Sequence, residues 1–376
     1  YYIMIIYNEI NYNSVMIRYL YYVFFIMSFL GLCGSCAEQK EKTEGLCIDI
    51  DSLRDQPCQF EAHIERYVVL DTTKALVNPS DKYIFKNHNI YISDRKNSVH
   101  IFSDSGKYVN SIARRGRGPG EYLVVSDFDV DDQGDIYVLC ARSKKIIKYH
   151  APDYFLFDVM NMDKQVTEMC PQGDNIWVGN IFTNSDKLPG LGLFKDGIVT
   201  PVIEARKDFD ELSDKFIKLK DKSFCPSDDG LLFNQRLSRE VYRLNGGKEE
   251  LLFTVQSSLP VDTEDRDANS FKGFQSVYRS GDLILGHIWQ SGNTYPLLLI
   301  SDLSTGKSSL CMPGDIGFPV FCGTFSIRED RFVGLMCASL LAQGRSAETR
   351  EALKKIGTAI TPESNPVIVE FTISPK

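Results

Sequence analysis

The chain repeats a short strand pattern, and this repeat limits its fold more than any other feature. Three short runs rich in β-branched and aromatic residues follow one another between 89 and 112, and three runs with the same order and spacing follow between 135 and 157. An equivalent position recurs at intervals of 40 to 56 residues, at Ile90, Ile136, Ile176, Leu232, Ile284 and Val333. A period of this length, with several strands in each unit, is typical of β-propeller blades.

Six such units fit within residues 46–376, so the sequence predicts an all-β fold, a six-bladed β-propeller with one short C-terminal helix inserted in the last blade. The helix is expected from Ala347 to Ile356, with Ser346 as its N-cap and Gly357 as its stop. The last strand, at 366–371, leaves the sixth blade one strand short. The run from Arg66 to Leu70 is expected to supply that strand and so to remove a free sheet edge.

Four stretches point to a known family: Ile-Phe-Ser-Asp-Ser-Gly-Lys at 101–107, Gly-Arg-Gly-Pro-Gly-Glu-Tyr at 116–122, Asp-Val-Asp-Asp-Gln-Gly-Asp-Ile-Tyr-Val at 129–138, and Asn-Pro-Val at 365–367. They resemble NHL-type and TolB-like six-bladed β-propellers, especially those that Bacteroidetes export as lipoproteins. The resemblance implies a propeller fold and export. It implies no single activity, because propellers carry many functions.

The N-terminal segment resembles an export signal. Met16 is the first plausible start, so residues 1–15 are expected to be non-native upstream translation. Arg18 is followed by an apolar run to Leu32 and then by small residues before Cys36. This predicts a lipoprotein signal peptide at 16–35, lipidation of Cys36 and a tether at 36–45. The alternatives are lipidation of Cys33 and an uncleaved anchor helix.

These N-terminal features predict a location in the cell envelope, as an outer-membrane-anchored lipoprotein that contacts the membrane only through its N-terminal lipid. The remaining cysteines are scattered singly and are expected to be small buried hydrophobic residues. Cys47 and Cys58 are the one local disulfide candidate in an oxidising compartment.

The formal charge of −8 argues against a nucleic-acid partner. With strands a to d running outward in each blade, the b–c turns and the d-to-a connectors should share one face. Basic residues concentrate there, whereas the a–b turns are acidic. The predicted ligand-binding residues are Arg95, Lys96, Arg115, Arg117, Arg142, Lys144, Arg236, Arg239 and Trp289.

This distribution predicts a binding module for an anionic ligand, either an acidic glycan or an envelope protein, because arginine suits bidentate carboxylate or sulfate contacts. Solvated charged turns would give the same pattern. Trp289 could stack on a sugar or pack in the core, whereas Trp177 is expected in the core.

Other motifs favour no catalysis, metal or cofactor. The stretch 129–135 begins like a calcium loop but lacks the final Glu, so a hairpin turn is the better interpretation. Gly116–Gly120 lacks the Lys-Ser/Thr and the helix of a P-loop. His287 is either packed in the core or at the channel mouth. The alternatives to a binding module are a carbohydrate lyase or hydrolase at the channel mouth and a structural subunit of an envelope complex.

Overall fold

The computed structural model describes residues 46–78, 81–94, 98–179, 190–203, 223–227, 230–235, 238–258, 271–290, 297–318 and 325–376; the side chains of 271, 272, 275, 289 and 290 are not part of this description. The expected upstream segment, signal peptide, Cys36 and tether lie outside these residues. Within them, no helix has the length and apolar character needed to cross a membrane.

Four sheets have four strands each. The first contains β3 (Lys82–Lys86), β4 (Asn89–Ser93), β5 (Val99–Ser103) and β6 (Tyr108–Ile112). The second contains β7 (Asp127–Val130), β8 (Ile136–Cys140), β9 (Lys145–His150) and β10 (Phe155–Asn161). The third contains β11 (Glu168–Gln172), β12 (Asn175–Gly179), β13 (Leu191–Lys195) and β14 (Ile198–Ile203). Each is a plain antiparallel meander in chain order.

A fifth sheet has nine strands. Its first half contains β1 (Leu46–Asp49), β15 (Phe224–Ser227), β16 (Gly230–Phe233), β17 (Glu240–Asn245) and β18 (Lys248–Gln256). Its second half contains β19 (Phe271–Ser280), β20 (Leu283–Gln290), β21 (Leu297–Asp302) and β22 (Ser308–Cys311). The two halves join at strands β15 and β19, through one parallel pairing of Ser227 with Arg279. Strand β1 adds to the outer edge of the first half, parallel to β18.

The remaining four-stranded sheet joins the two ends of the described chain. Strands β23 (Ser326–Arg328), β24 (Arg331–Met336) and β25 (Val367–Pro375) come from the C-terminal end, and β2 (Phe60–Val69) pairs antiparallel with β25. The prediction that the run from Arg66 to Leu70 supplies the fourth strand is therefore confirmed, although the strand begins six residues earlier. This pairing covers an edge that would otherwise be open to another chain.

Apolar side chains fill the space between successive sheets. Ile101 and Val138 join the first sheet to the second in one cluster, and Trp177 and Leu231 join the third to the nine-stranded sheet in another. A further cluster joins the closing sheet to the first, through Ile368 and Ile90. Each sheet thus buries both faces against its neighbours, which one four-stranded sheet cannot do alone.

These short sheets, which cover one another in succession, form a fold of the β-propeller type. The repeated positions fall in β4, β8, β12, β16, β20 and β24, so each lies in the second strand of a four-stranded unit. The repeat in the sequence therefore predicted the order of the strands.

Two helices follow β24: α1 (Ala338–Leu341) and α2 (Ala347–Ile356). Helix α2 has the predicted bounds and caps: the Ser346 hydroxyl accepts from the Thr349 N–H, and Gly357 has a φ of +67°. It packs on β2, where Ala352 is buried.

The predicted pairing of Cys47 with Cys58 is wrong. Cys58 forms a disulfide with Cys311, 253 residues away in sequence, across a Cα–Cα distance of 5.7 Å. Cys47 is a free, exposed cysteine on edge strand β1. The bridge ties the segment before β2 to the end of β22, so the fold and not the local spacing selects the partner. Cys140 and Cys225 are buried, as expected for small hydrophobic residues, whereas Cys170 and Cys337 are only half-buried.

Candidate functional site

The predicted basic face contains two loops that are linked by hydrogen bonds. The connector between β6 and β7 carries Arg115 and Arg117, and the turn between β8 and β9 carries Arg142. The Lys145 ammonium donates to the Glu121 carbonyl at 2.7 Å, and the Ala141 N–H donates to the Ser126 hydroxyl at 3.1 Å. The turn and the connector are therefore neighbours, as the strand order predicts.

The connector itself is held by aromatic residues. The Arg114 guanidinium lies 5.4 Å from the centre of the Tyr149 ring and donates to the Tyr154 carbonyl. The Tyr149 hydroxyl donates to the Gly120 carbonyl at 2.8 Å, and the Tyr122 hydroxyl donates to the Ile112 carbonyl at 3.0 Å. Arg114 thus stabilises the loop through a cation–π contact and a hydrogen bond.

The glycines of this connector surround an internal anion. The Gly118 N–H donates to the Glu121 carboxylate at 2.7 Å, and a Cβ on Gly116 would overlap the same carboxylate. The Gly-Arg-Gly motif is therefore a loop built around Glu121, in agreement with the connector interpretation. It holds its two arginines on a defined backbone.

We call the exposed side chains of Arg115, Arg117 and Arg142 the basic turn surface. Within the described part of the chain, these three guanidinium groups have no carboxylate partner. Exposed arginines without an internal counter-ion keep their charge and their donors for a ligand.

The other predicted ligand-binding residues divide into two groups. Lys144 donates to the Asp163 carbonyl at 3.1 Å and Arg239 to the Ser257 carbonyl at 2.9 Å, so both side chains already hold loops. Arg95, Lys96 and Arg236 lie outside the described residues, as does the side chain of Trp289. For these residues a role in binding stays a prediction.

The calcium-like stretch is the hairpin between β7 and β8, as predicted. The Asp131 carboxylate accepts from the Gln133 and Asp135 N–H groups at 3.0 and 2.9 Å, which closes the turn. Asp129 lies in β7, 3.7 Å from the Lys82 ammonium. The Asp129 carboxylate therefore pairs with Lys82 and does not take part in the turn.

Trp177 and His287 both lie in the core. Trp177 is fully buried and donates to the Gln172 side chain at 3.0 Å. His287 is buried in β20 with its ring centre 6.0 Å from that of Phe325, and burial lowers its pKa to about 3. The packing interpretation of His287 is confirmed.

A cavity of about 350 Å³ lies among the first strands of the sheets, where a propeller has its central channel. The cavity is lined mainly by five strands, each of which is the first strand of its four-stranded unit: β3, β7, β11, β15 and β23. The lining residues are Lys82, Tyr83, Ile84, Phe85, Lys86, Asp129, Asp132, Cys170, Pro171, Gln172, Phe224, Pro226, Ser227, Gly230, Leu231 and Ser326. We call this space the central cavity.

An ion-pair network joins three of these strands. The Lys82 ammonium is 2.7 Å from Asp127 and 3.7 Å from Asp129, and Asp127 also accepts from the Met169 N–H at 2.9 Å. Burial raises the pKa of Asp127 to about 6, against the opposing effect of Lys82. Burial acts to lower the pKa of Lys82, but the two aspartates outweigh it and hold this pKa above its usual range.

A second pair lies closer to solvent. The Lys86 ammonium is 2.8 Å from Asp132, whose side chain is 73% exposed, and it donates to the Val130 carbonyl. Lys86 ends β3 and Asp132 begins the turn after β7, so this pair marks the a–b end of the cavity. The basic turn surface belongs to the b–c end.

Sequence reasoning missed the central cavity. The signal was the alternation of Lys82, Ile84 and Lys86, and of Asp127 and Asp129, which places charges on one side of each strand. The repeat is clearest in the second strands of the units, whereas the cavity is lined mainly by the first strands.

The family comparison gives one match over most of the chain. A family model described as "Domain of unknown function (DUF4934)" matches residues 58–372. No curated protein matches the chain with significant sequence similarity.

Two solved structures from Bacteroides are similar over most of the chain. One, from Bacteroides fragilis, carries the name of an exported protein; it is 14% identical, with a TM-score of 0.67, over 88% of this chain and 99% of its own. The other, a member of the DUF4221 family from Bacteroides vulgatus, is 8% identical, with a TM-score of 0.55, over 85% of this chain and 100% of its own. At these identities the similarity is one of fold.

Proposed function

This chain belongs to the family described as a domain of unknown function (DUF4934), and we propose that it is an exported propeller whose basic turn surface binds an anionic ligand. The proposal has three parts: the number of blades, the location and the ligand. Each part has its own support.

The proposed number of blades is six, in an arrangement of the NHL and TolB type. The nine-stranded sheet divides at the single pairing of Ser227 with Arg279 into two units of four strands, with β1 as an addition at the edge. Together with the four-stranded sheets this gives six units, in agreement with the repeat.

The proposed location is the cell envelope, with an N-terminal lipid on Cys36. The apolar run before Cys36 supports it, as does the disulfide between Cys58 and Cys311, since disulfides persist in oxidising compartments. The Bacteroides fragilis protein of similar fold is also named as an exported protein.

The ligand is proposed to be an acidic glycan or an acidic segment of an envelope protein. The observation that carries this proposal is that Arg115, Arg117 and Arg142 are exposed on two interlocked loops, without a carboxylate partner in the described part of the chain. In a protein of net charge −8, such a site would attract anions locally while the rest of the surface repels them.

The test is a binding assay with polygalacturonate as a carboxylated glycan, chondroitin sulfate as a sulfated one and dextran as a neutral one. The triple change Arg115→Ala, Arg117→Ala and Arg142→Ala should weaken binding of the acidic glycans at least ~10-fold, because each lost charge-assisted contact contributes about 0.5–1 kcal/mol when exposed. Dextran should not bind to this surface.

A matched control removes the same amount of charge elsewhere. Lys107, Lys248 and Lys354 are exposed and lie outside both loops, so their joint replacement by alanine should leave acidic-glycan binding almost unchanged. Equal losses in the two triple variants would show that net charge alone governs binding, and would refute the proposed surface. Binding of none of the glycans would remove the glycan and leave the acidic protein segment as the ligand.

A further inference from the structure

The charges that line the central cavity compensate one another. The lining contains two lysines and two aspartates; Lys82 lies 3.7 Å from Asp129, and Lys86 lies 2.8 Å from Asp132. A charged ligand would have to separate one of these pairs or enter without a counter-ion, and both are unfavourable in a partly buried site. The cavity therefore favours a ligand without net charge.

The same groups can still form hydrogen bonds. An ammonium group has three N–H donors and a carboxylate has about four acceptor sites, so the pairs with Asp129 and Asp132 leave capacity on both sides. Gln172 is held in place, since it accepts from Trp177 and donates to the Leu244 carbonyl. A ligand with several hydroxyl groups would match these donors and acceptors.

Ser326 adds a hydroxyl group to the lining of the cavity. It lines the cavity from β23 and is only 5% exposed, yet its hydroxyl has no hydrogen-bond partner among the residues that the structure describes. Its hydroxyl is therefore available to donate to and accept from a polar ligand in the cavity.

Part of the lining consists of apolar ring side chains. Phe85, Phe224, Pro171 and Pro226 contribute ring surfaces, against which the C–H face of a sugar ring can pack. The volume of about 350 Å³ lies at the lower end of the range of small-molecule sites, about 300–1,000 Å³. This size suits one or two sugar rings and excludes a long chain.

We propose that the central cavity is a binding site for a small neutral saccharide, which Ser326, Lys86 and Asp132 hydrogen-bond while the neighbouring rings pack against it. This site is separate from the basic turn surface, at the other end of the inner strands, and does not depend on the function proposed above.

The test uses ligand-observed NMR and calorimetry on the full chain. The panel contains neutral hexoses, N-acetylhexosamines and disaccharides, with free amino acids and small carboxylates as the competing classes. We expect at least one neutral saccharide to bind, with an affinity that does not change between low and raised salt. Binding of amino acids or carboxylates without any saccharide would overturn the proposal, as would the absence of binding across the panel.

Variants locate the site. Ser326→Ala should weaken saccharide binding roughly 5- to 10-fold through the loss of one hydrogen bond, and Ser326→Phe, which fills the cavity, should abolish it. Ser111→Ala is the matched control, because this serine lies in the fourth strand of the first sheet and is not among the lining residues of the cavity. If Ser326→Phe does not fold, Lys86→Met replaces it and should weaken binding by a similar factor to Ser326→Ala. Undiminished binding in the Ser326 variants, or equal loss in Ser111→Ala, would place the saccharide elsewhere and refute the site.

Discussion

The basic turn surface and the central cavity both present cations, but they differ in what surrounds those cations. Arg115, Arg117 and Arg142 face solvent without a described carboxylate, whereas Lys82 and Lys86 each have an aspartate within reach. An unpaired charge attracts an anion over a distance, while a paired one mainly orients donors and acceptors. The number of basic residues at a site therefore does not indicate the charge of its ligand. Whether each basic residue already has a carboxylate partner is the better guide.

The largest expected effect is on stability at the deep end of the cavity. Lys82→Met leaves Asp127 and Asp129 without their cation, and breaking a buried pair from one side costs about 3–5 kcal/mol. Lys86→Met should cost less than about 1 kcal/mol, because its partner Asp132 is largely exposed. Urea unfolding of the two variants measures the difference. Equal losses would contradict the distinction between deep and exposed pairs.

Buried and exposed histidines extend the comparison to pH. The pKa of His287 is about 3 in the folded protein against an ordinary 6.5, so between these values the unfolded chain binds the extra proton. Stability should therefore fall as the pH drops below about 6.5, by about 2 kcal/mol at pH 5 for this residue.

The measurement compares His287→Gln with wild type at pH 7.5 and pH 5. The variant should lose less stability on acidification, whereas His88→Gln, which changes an exposed histidine, should follow wild type. The raised pKa of Asp127 has the opposite sign, because its folded form binds the proton more readily. The difference between the variants, and not the wild-type curve, is therefore the test; parallel curves for His287→Gln and wild type would show that this imidazole is not desolvated.

Salt separates the two proposed sites. Contacts between exposed charges are screened, so binding of the acidic glycan at the arginines should weaken about 10-fold between roughly 50 and 500 mM salt. Saccharide binding in the cavity should change less than about 2-fold, because the ligand has no charge. Calorimetry with both ligands across this range provides the comparison. Similar salt dependence for both ligands would mean that they share one surface.

Local patterns in the sequence predicted the elements well. The strand repeat placed Ile90, Ile136 and their equivalents in the second strands, and the polar signals at Ser346 and Gly357 bounded helix α2. Each strand run and each helix cap depends on neighbours within a few residues, and the repeat is a recurrence of such local runs, so one sequence is enough to recognise them.

Contacts between distant strands could not be predicted in the same way. Cys58 pairs with Cys311 and not with Cys47, because closure of the fold brings the start of β2 beside the end of β22. The pairing of Lys82 with Asp127 likewise requires the first strands of two sheets to be neighbours in space. The alternating charges were visible in the sequence, but their partners depend on the packing of whole sheets.

The smallest expected effect concerns Glu121, the carboxylate in the connector that carries Arg115 and Arg117. Glu121 accepts from the Gly118 N–H and lies in the same loop as Arg115 and Arg117, so its negative charge lowers the attraction of that loop for an anionic ligand. Glu121→Gln keeps the side-chain size and an acceptor for Gly118 but removes the charge. Affinity for polygalacturonate should therefore rise about 2- to 5-fold at low salt, an effect of about 0.5–1 kcal/mol for removing one charge near the surface. Glu121→Ala should not show this gain, because it also removes the group that orders the loop. Calorimetry on both variants decides between the two roles of Glu121: if Gln weakens binding as much as Ala, the carboxylate serves mainly to hold the arginines in place.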